Sequence, residues 1–141
     1  MPDIFDDVEE FHIKYGLDSQ EPPTPQLYVC EEMMTFRTGF LCEEAEEHAD
    51  AARAGDLVKT VDANLDAIYV AVGNLRMLGV GPVLARKLWD LVHQRGNLKK
   101  VRAERADQSL RGTAFDVVKP PGWVSPEPAM RELLREHGAI V

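Results

Sequence analysis

The chain of 141 residues is 45% hydrophobic and carries a formal net charge of −8 at pH 7, which suits one hydrophobic core and a single globular domain over residues 1–141. The acidic balance argues against nucleic acid as the main partner, because phosphate contacts need clustered lysine and arginine. The N-terminus has no basic segment followed by an apolar stretch, and runs of about 18 apolar residues do not occur, so we expect no membrane contact and a cytoplasmic location.

The first predicted helix ends near Gly16, a helix-stopping residue. Its apolar residues recur at steps of three and four, which is typical of one buried helix face: Ile4, Phe5, Val8, Phe11 and Tyr15. The segment SQEPPTP that follows is typical of a linker.

The second predicted helix begins at Thr24 and Pro25, a favourable helix start, and continues to Ala54. If it is unbroken, it has about 30 residues and a length of roughly 45 Å. If Cys30 and Cys42 both lie on it, they are roughly 18 Å apart, which is too far for a disulfide. We expect two buried or half-buried thiols in a reducing compartment.

The third predicted helix is capped by Asp56 and carries an apolar stripe of the kind that forms the seam of a helical bundle. The members of this stripe step by three and four residues: Val58, Val61, Leu65, Ile68, Val72 and Leu75. Gly79 and Gly81 bracket the next turn. Pro82 then suits the first position of a fourth helix that continues to Gly96.

Residues 1–98 are therefore predicted to form the helical core of an all-α bundle of about four to five helices. Residues 99–125 combine basic side chains with an irregular, proline-containing stretch, which predicts a loop arm. A terminal helix follows over residues 126–141, with Pro126 in its first turn.

Carboxylates at one-turn spacing mark the second and third helices: Glu43, Glu44 and Glu47 on one, Asp62 and Asp66 on the other. If the helices pair through their apolar faces, these carboxylates converge on one site between them. Glutamates on a helix usually form only a solvated face. The aspartates beside the apolar stripe favour a site, and like charges gathered there are unfavourable unless a polyvalent cation shares them.

Oxygen ligands of this kind fit Mg²⁺, with Mn²⁺ as a substitute. Zinc would need thiolate or imidazole ligands at suitable spacing. A ferritin-like di-iron site would need a glutamate three positions before a histidine, but Ala45 stands three before His48. Magnesium in turn indicates phosphate chemistry.

These residues resemble the all-α nucleotide pyrophosphohydrolases, a superfamily with MazG-like and phosphoribosyl-ATP pyrophosphohydrolase-like branches. The MazG-like branch has a Phe-His, an Arg followed by apolar residues and EExxE, an acidic pair before apolar residues and Tyr, a His-Asn-Lys signature and a Lys-Pro-x-x-Trp element. The similar residues here stand in the same order: Phe11, His12, Arg37, Phe40, Leu41, Glu43, Glu44, Glu47, Asp62, Asp66, Ala67, Ile68, Tyr69, His93, Asn97, Lys100, Lys119, Pro120 and Trp123.

The resemblance implies a Mg²⁺-dependent hydrolase that splits a nucleoside or deoxynucleoside triphosphate between its α and β phosphates, giving the monophosphate and pyrophosphate. Nucleotide-pool cleansing, dUTP removal and stress control are all compatible cellular uses. The metal ligands that it implies are Glu44, Glu47, Asp62 and Asp66. Glu43 is the candidate for orienting or deprotonating the water, although Glu43 and Glu44 can exchange these duties.

The same resemblance implies substrate-binding residues away from the carboxylates: His12, Asn97, Lys100, Lys119 and Trp123. The two lysines supply cations for a triphosphate, whereas an isolated lysine is ordinarily only a solvated surface residue. Trp123 suits stacking on a base and suits equally a packing anchor beside prolines. His12 on its own is more typical of a structural histidine than of a catalytic one.

Two alternatives stay open. One is a phosphoribosyl-ATP pyrophosphohydrolase with the same fold and metals, and the other is a non-catalytic acidic helical protein that binds a basic partner. A long second helix that few other helices can cover predicts a homodimer or higher homo-oligomer, in which the partner copy completes the bundle and can supply the phosphate-binding arm.

Overall fold

The computed structural model describes residues 1–17, 22–25 and 30–141. Within them the chain forms five α-helices: α1 (Ile4–Lys14), α2 (Glu31–Arg53), α3 (Leu57–Met77), α4 (Pro82–Asp90) and α5 (Glu127–Glu136). Two short strands, β1 (Val101–Arg102) and β2 (Val117–Val118), pair antiparallel. The prediction of an all-α bundle with an irregular C-terminal arm is confirmed, and the arm contains this small hairpin.

Helix α1 begins at a complete capping box. The Asp3 side chain accepts hydrogen bonds from the backbone N–H groups of Phe5 at 3.0 Å and Asp6 at 3.3 Å, which satisfies donors left free at a helix start. Arg86 of α4 donates to both Asp3 and Asp6 at 3.0 Å. The start of α1 is therefore tied to α4, and the residues that α1 buries are Phe5, Val8 and His12.

Helix α2 is shorter than predicted, with 23 residues. It begins at Glu31, because Cys30 has an extended backbone with φ −121° and ψ 102°. Thr24 is not helical, since its backbone N–H donates to the carbonyl of Leu78 at the end of α3, at 2.8 Å. Residues 26–29 of the predicted helix lie outside the described residues.

Both cysteines are exposed, so the prediction of buried or half-buried thiols was wrong. Cys30 precedes α2 rather than lying within it. Cys42 is inside α2, but helical spacing places it on the side opposite the buried residues Arg37 and Glu44.

Helix α3 starts as predicted, because the Asp56 side chain accepts from the backbone N–H of Lys59 at 3.0 Å. Only the C-terminal third of the apolar stripe predicted as a bundle seam packs into the core. Val72 and Leu75 pack into the core. The remaining stripe residues, which we call the outer stripe of α3, are exposed: Val58, Val61, Leu65 and Ile68.

The outer stripe does not face α2, which corrects the prediction that α2 and α3 pair along it. Ala63 and Val70, on the other side of α3, are buried. Arg37 of α2 donates to the carbonyl of Val70 at 2.9 Å, so this second side of α3 is the one that α2 packs on.

The hydrophobic core lies where α1, the C-terminal half of α3 and α4 meet. Its buried residues are Phe5, Val8, Val72, Val80, Leu84, Ala85 and Leu88. Helix α5 adds half-buried residues to this core, namely Met130, Leu133 and Leu134. Helix α4 begins with Pro82 at its first position, as predicted, and exposes Trp89.

After α4 the helix continues as a π-helical turn over Leu91–Gly96 and a 3-10 turn over Asn97–Lys99. The predicted fourth helix therefore reaches Gly96, but its last turn is wider than an α-helix. The arm then forms the β1–β2 hairpin, and Trp123 returns to this turn by donating from Nε1 to the carbonyl of Gly96 at 2.9 Å.

In the described residues no single helix meets the length and hydropathy needed to cross a membrane. Helix α3 together with the segment Pro82–Lys99 meets that test only as a pair bent by 112°.

Candidate functional site

The predicted carboxylates lie along the contact between α2 and α3, and only one of them is buried. Glu44 is 6% exposed, whereas the other four are exposed: Glu43, Glu47, Asp62 and Asp66. Asp62 and Asp66 are exposed although they lie along the contact between α2 and α3, where Asp66 lines a cavity with Glu44. They flank the buried Ala63 and Val70 and face the solvent-filled groove beside α2.

Glu44 is the electrostatic centre of this groove. Burial raises the pKa of its carboxyl, and the negative charges of Glu47, Asp66 and Glu43 raise that pKa further. Its Oε2 atom is buried and makes no hydrogen bond to any of the described residues. A buried carboxylate oxygen without a partner is unfavourable, so this position favours a proton or a bound cation.

Arg37 lies two helical turns before Glu44, on the same face of α2. It is buried and donates from Nε to Oδ1 of Asn74 at 2.7 Å and from Nη2 to the carbonyl of Val70 at 2.9 Å. Burial lowers the pKa of its guanidinium below the ordinary value. The two hydrogen bonds hold the guanidinium of Arg37 in place, and its side chain lines the same cavity as Glu44 and Asp66.

One cavity of about 320 Å³ brings several of these groups together at the meeting point of α1, α2 and α3. Its polar residues are His12, Arg37, Glu44 and Asp66. Its aromatic wall includes Phe11 and Tyr69, with ring centroids 5.3 Å apart and nearly perpendicular planes, and Phe40, whose ring lies 5.8 Å from the Arg37 guanidinium. The cavity combines charged groups with flat apolar surface, as small-molecule sites commonly do.

A second cavity of about 490 Å³ lies toward the α2–α3 turn and is lined by Glu47 and Asp62, with Lys59 at its edge. The five predicted carboxylates are thus neighbours but do not form one preformed ligand shell. In the described part of the chain, no group of three or more His, Cys, Asp or Glu side chains is arranged to hold a metal ion.

The chemistry of the donor set nevertheless fits a hard divalent cation. The ligand candidates are carboxylates only, and Glu44 presents a buried oxygen that has no hydrogen-bond partner. A cation at this oxygen would offset both the burial and the repulsion that act on the Glu44 carboxyl.

The predicted substrate-binding residues of the arm lie elsewhere. Lys100 and Lys119 line a cavity of about 380 Å³ together with Arg111 and Asp116. The Nζ atoms of Lys100 and Lys119 lie 5.8 and 4.7 Å from the centroid of the Trp123 ring. The structure therefore pairs two lysines on one tryptophan, but neither carboxylate cavity includes an arm residue among the described residues.

Asn97 is exposed at the start of the 3-10 turn, and His12 is buried beside Gly73. Of the predicted substrate-binding residues, His12 alone lines a carboxylate cavity in the described chain. Arg37 and Tyr69 belong to the motifs that resemble the family, but the resemblance implied no role for either residue in the site. The seven-residue step from Arg37 to Glu44 was the available signal for Arg37, because that step spans two turns of one helix face.

The family model for phosphoribosyl-ATP pyrophosphohydrolase matches residues 8–96 of the chain. The matched segment contains every residue of the two carboxylate cavities, and it ends before Lys100, Lys119 and Trp123. No curated protein matches the chain.

Proposed function

Because this chain belongs to the phosphoribosyl-ATP pyrophosphohydrolase family, a branch of the all-α nucleotide pyrophosphohydrolases, we propose that it hydrolyses a nucleotide between its α and β phosphates and releases pyrophosphate. The family match supports the class of hydrolase that acts on phosphoric anhydrides. The observation that carries the proposal for this groove is Glu44, a buried carboxylate with an unpaired oxygen among three further acids.

The proposed metal ligands are Glu44, Glu47, Asp62 and Asp66. Mg²⁺ bound here would neutralise negative charge on the phosphate oxygens and lower the pKa of the attacking water. Mn²⁺ is the expected substitute. Glu47 and Asp62 must rotate toward Glu44 for this, because they line the neighbouring cavity. Both side chains are exposed and have room to do so.

The chain's own groups would bind the substrate and handle the proton. Glu43, exposed on the same turn as Glu44, would hold the attacking water and accept its proton. His12 would bind the nucleoside in the aromatic cavity, where Arg37 offers N–H donors beside the ring of Phe40. The cations for the remaining phosphates would come from Lys100 and Lys119, with Asn97 and Trp123 beside them.

Phosphoribosyl-ATP is the first substrate to test, because the family match favours it over a free nucleoside triphosphate. The sequence-based prediction gave a nucleoside triphosphate as the main substrate and phosphoribosyl-ATP as the alternative, so the family match reverses that order. The second candidate is a nucleoside or deoxynucleoside triphosphate, dUTP included. The Lys119-Pro120-x-x-Trp123 element, which lies beyond the matched segment and resembles the MazG-like branch, favours it.

We also propose a homodimer or higher homo-oligomer in the cytoplasm. The exposed outer stripe of α3 supports an assembly of several copies of the chain. It continues the apolar surface of α3 that is packed into the core at Val72 and Leu75.

The test is pyrophosphate release, measured with Mg²⁺ and with Mn²⁺ over phosphoribosyl-ATP and the canonical and deoxy nucleoside triphosphates. We expect the wild type to release pyrophosphate from at least one of them. Glu44→Gln should lower kcat/KM by about 100-fold or more, because the proposed ligand loses its charge but keeps its shape.

The matched control is Glu46→Gln, on the same helix but lining neither carboxylate cavity, which should keep wild-type activity. Mg²⁺ should also raise the melting temperature of the wild type and of Glu46→Gln, but not that of Glu44→Gln. If the folded wild type releases no pyrophosphate from any substrate of the panel, and Mg²⁺ does not raise its melting temperature, the proposed function is wrong. The non-catalytic alternative then remains.

A further inference from the structure

A cavity of about 550 Å³, which we call the tryptophan cavity, lies where the turns after α4, the end of the arm and the start of α5 meet. Arg95 and Lys99 line it from the turns, Trp123 from the arm and Ala129 from α5. In the described chain it shares no lining residue with the two carboxylate cavities or with the cavity of the arm lysines. The tryptophan cavity is therefore a separate candidate site, and apart from Arg95 its described lining residues lie beyond the family match.

The apolar wall of the tryptophan cavity is preformed. Trp123 is fixed, because its indole Nε1 donates to the carbonyl of Gly96 at 2.9 Å and its backbone N–H donates to the carbonyl of Pro120 at 3.0 Å. A ligand on this wall would therefore order few protein groups, which favours binding. The rest of the wall is mostly proline, whose φ angle is fixed by its ring: Pro120, Pro121, Pro126 and Pro128.

Charge distinguishes the tryptophan cavity from the others. No aspartate or glutamate is among its described lining residues, whereas each of the three cavities above contains at least one. Its cations, Arg95 and Lys99, are both exposed, and neither forms an ion pair with another described residue. In a chain with a net charge of −8, this cavity is a local region of positive charge that attracts an anion.

The wall and the cations together fit a flat ring that carries a phosphate. Bases stack on tryptophan, and the Trp123 side chain is only half-buried. The two lysines that lie over its ring, Lys100 and Lys119, line the arm cavity instead. The guanidinium of Arg95 can pair with two phosphate oxygens, and Lys99 adds a second positive charge. The volume lies within the range of about 300–1,000 Å³ that is usual for small-molecule sites.

We propose that the tryptophan cavity binds a nucleoside monophosphate, with the base against Trp123 and the prolines and the phosphate on Arg95 and Lys99. A ring with an anionic group follows from the cavity itself. The choice of a monophosphate rests on the proposed function, because cleavage between the α and β phosphates leaves one phosphate on the nucleotide. The chain then has a second nucleotide site, in addition to the groove between α2 and α3.

The test is calorimetric titration of the full chain with AMP, GMP, CMP and UMP in EDTA. EDTA removes divalent cations, so the acids of the α2–α3 groove repel a phosphate, while the tryptophan cavity stays attractive. We expect at least one monophosphate to bind at least tenfold more tightly than its nucleoside or inorganic phosphate, because the ring and the phosphate are both held. A protein that binds none of the four at millimolar concentration, or that binds the nucleoside or phosphate as tightly, overturns the inference.

Arg95→Met with Lys99→Met should raise this dissociation constant at least tenfold, because both side chains lose their charge. The matched control is Lys87→Met with Arg102→Met, two exposed cations that line none of these cavities in the described chain, and it should leave the constant unchanged. Glu44→Gln should also bind like the wild type, since it alters only the groove. Wild-type binding by the Arg95 and Lys99 variant, or weaker binding by Glu44→Gln, places the ligand elsewhere and overturns the inference.

A second measurement locates the ligand. The chain has two tryptophans, and Trp89 on α4 does not line the tryptophan cavity. In two-dimensional NMR spectra, the monophosphate should shift the assigned indole N–H signal of Trp123 and leave that of Trp89 in place. Binding heat without a shift of the Trp123 signal contradicts the inference.

Pyrophosphate release is measured separately, which keeps the two proposals distinguishable. An active enzyme that binds no monophosphate in EDTA overturns this inference and leaves the proposed function standing. A protein that binds a monophosphate through Arg95 and Lys99 but releases no pyrophosphate overturns the proposed function and leaves the binding site standing.

Discussion

Gly73 lies where α1, α2 and α3 come closest together. A Cβ atom at this position would lie 2.6 Å from Nη2 of Arg37 and 2.8 Å from Nε2 of His12. Neither group can move away freely, since Arg37 is fixed by Val70 and Asn74, and His12 is buried. A glycine inside a helix ordinarily lowers stability. Here the missing Cβ atom leaves room for Arg37 and His12 in the cavity that Glu44 and Asp66 also line.

Gly73→Ala should therefore destabilise the protein by about 1–3 kcal/mol, the usual range for an overpacked site. The matched control is Gly39→Ala in α2, where a Cβ would meet nothing within 4 Å. That substitution should stabilise the protein by about 0.5–1 kcal/mol, because alanine loses less backbone entropy than glycine in a helix. Urea unfolding of both variants measures the difference, and equal gains in stability would show that the three helices are not packed this closely.

At the scale of elements, the tip of the arm, residues 109–116, depends on Asp116. Hydrogen bonds from Ser109 and then from Arg111 lower the pKa of the Asp116 carboxyl below its ordinary value of about 4. A carboxyl whose pKa is lower in the folded state stabilises the fold above its unfolded pKa and loses that effect as the pH falls through the folded value. The tip should therefore be closed at neutral pH and open in acid.

Asp116→Asn should open the tip at any pH, because the neutral amide cannot pair with the Arg111 guanidinium. We expect trypsin to cleave after Arg111 several-fold faster at pH 8 in this variant than in the wild type. Asp107→Asn is the control, since Asp107 pairs with Arg105 in an ion pair that is exposed on both sides. Equal cleavage rates after Arg111 in all three proteins would mean that Asp116 does not hold the tip.

The elements that local chemistry determines could be predicted from the sequence. Asp56 and Pro82 placed the starts of α3 and α4 correctly, because a cap and a first-turn proline act within one turn. The start of α2 could not be predicted in this way. Thr24, its predicted first residue, instead donates to the carbonyl of Leu78, a contact between residues more than fifty positions apart.

The site could be predicted only in part, for a similar reason. The spacing of Glu44 and Asp66 identified two acids that do share a cavity. The period of α3 showed that it has an apolar stripe. It could not show which side α2 would cover, because Ala63 and Val70 give the opposite side of α3 a second, narrower apolar surface. The positions of Lys100 and Lys119 depend on how the arm folds around Trp123. Hydrophobic periodicity in the sequence does not predict the fold of such an irregular segment.

At the scale of the whole molecule, the outer stripe of α3 extends the core as an uncovered apolar surface. Leu65 is 58% exposed at its centre. Leu65→Glu should raise the dimer dissociation constant at least tenfold, since a charge would have to be buried in an apolar interface. Light scattering over a concentration series measures this constant.

Val83→Glu is the matched control, because Val83 is a similarly exposed apolar residue on α4 outside the stripe. It should leave the assembly unchanged. A wild type that is monomeric at every concentration in the micromolar range would contradict the homodimer, and a Leu65→Glu variant that still dimerises normally would place the interface elsewhere.

The setting of the two tryptophans gives the protein a built-in fluorescent reporter. Trp89 is exposed on α4, whereas Trp123 is half-buried, bonded through its indole N–H and flanked by two ammonium groups. If Trp89 is replaced by phenylalanine, all tryptophan fluorescence of the protein comes from Trp123, at the base of the arm. The wavelength and quenching of this emission would then report, in a rapid-mixing experiment, whether added nucleotide draws the two lysines away from the indole ring.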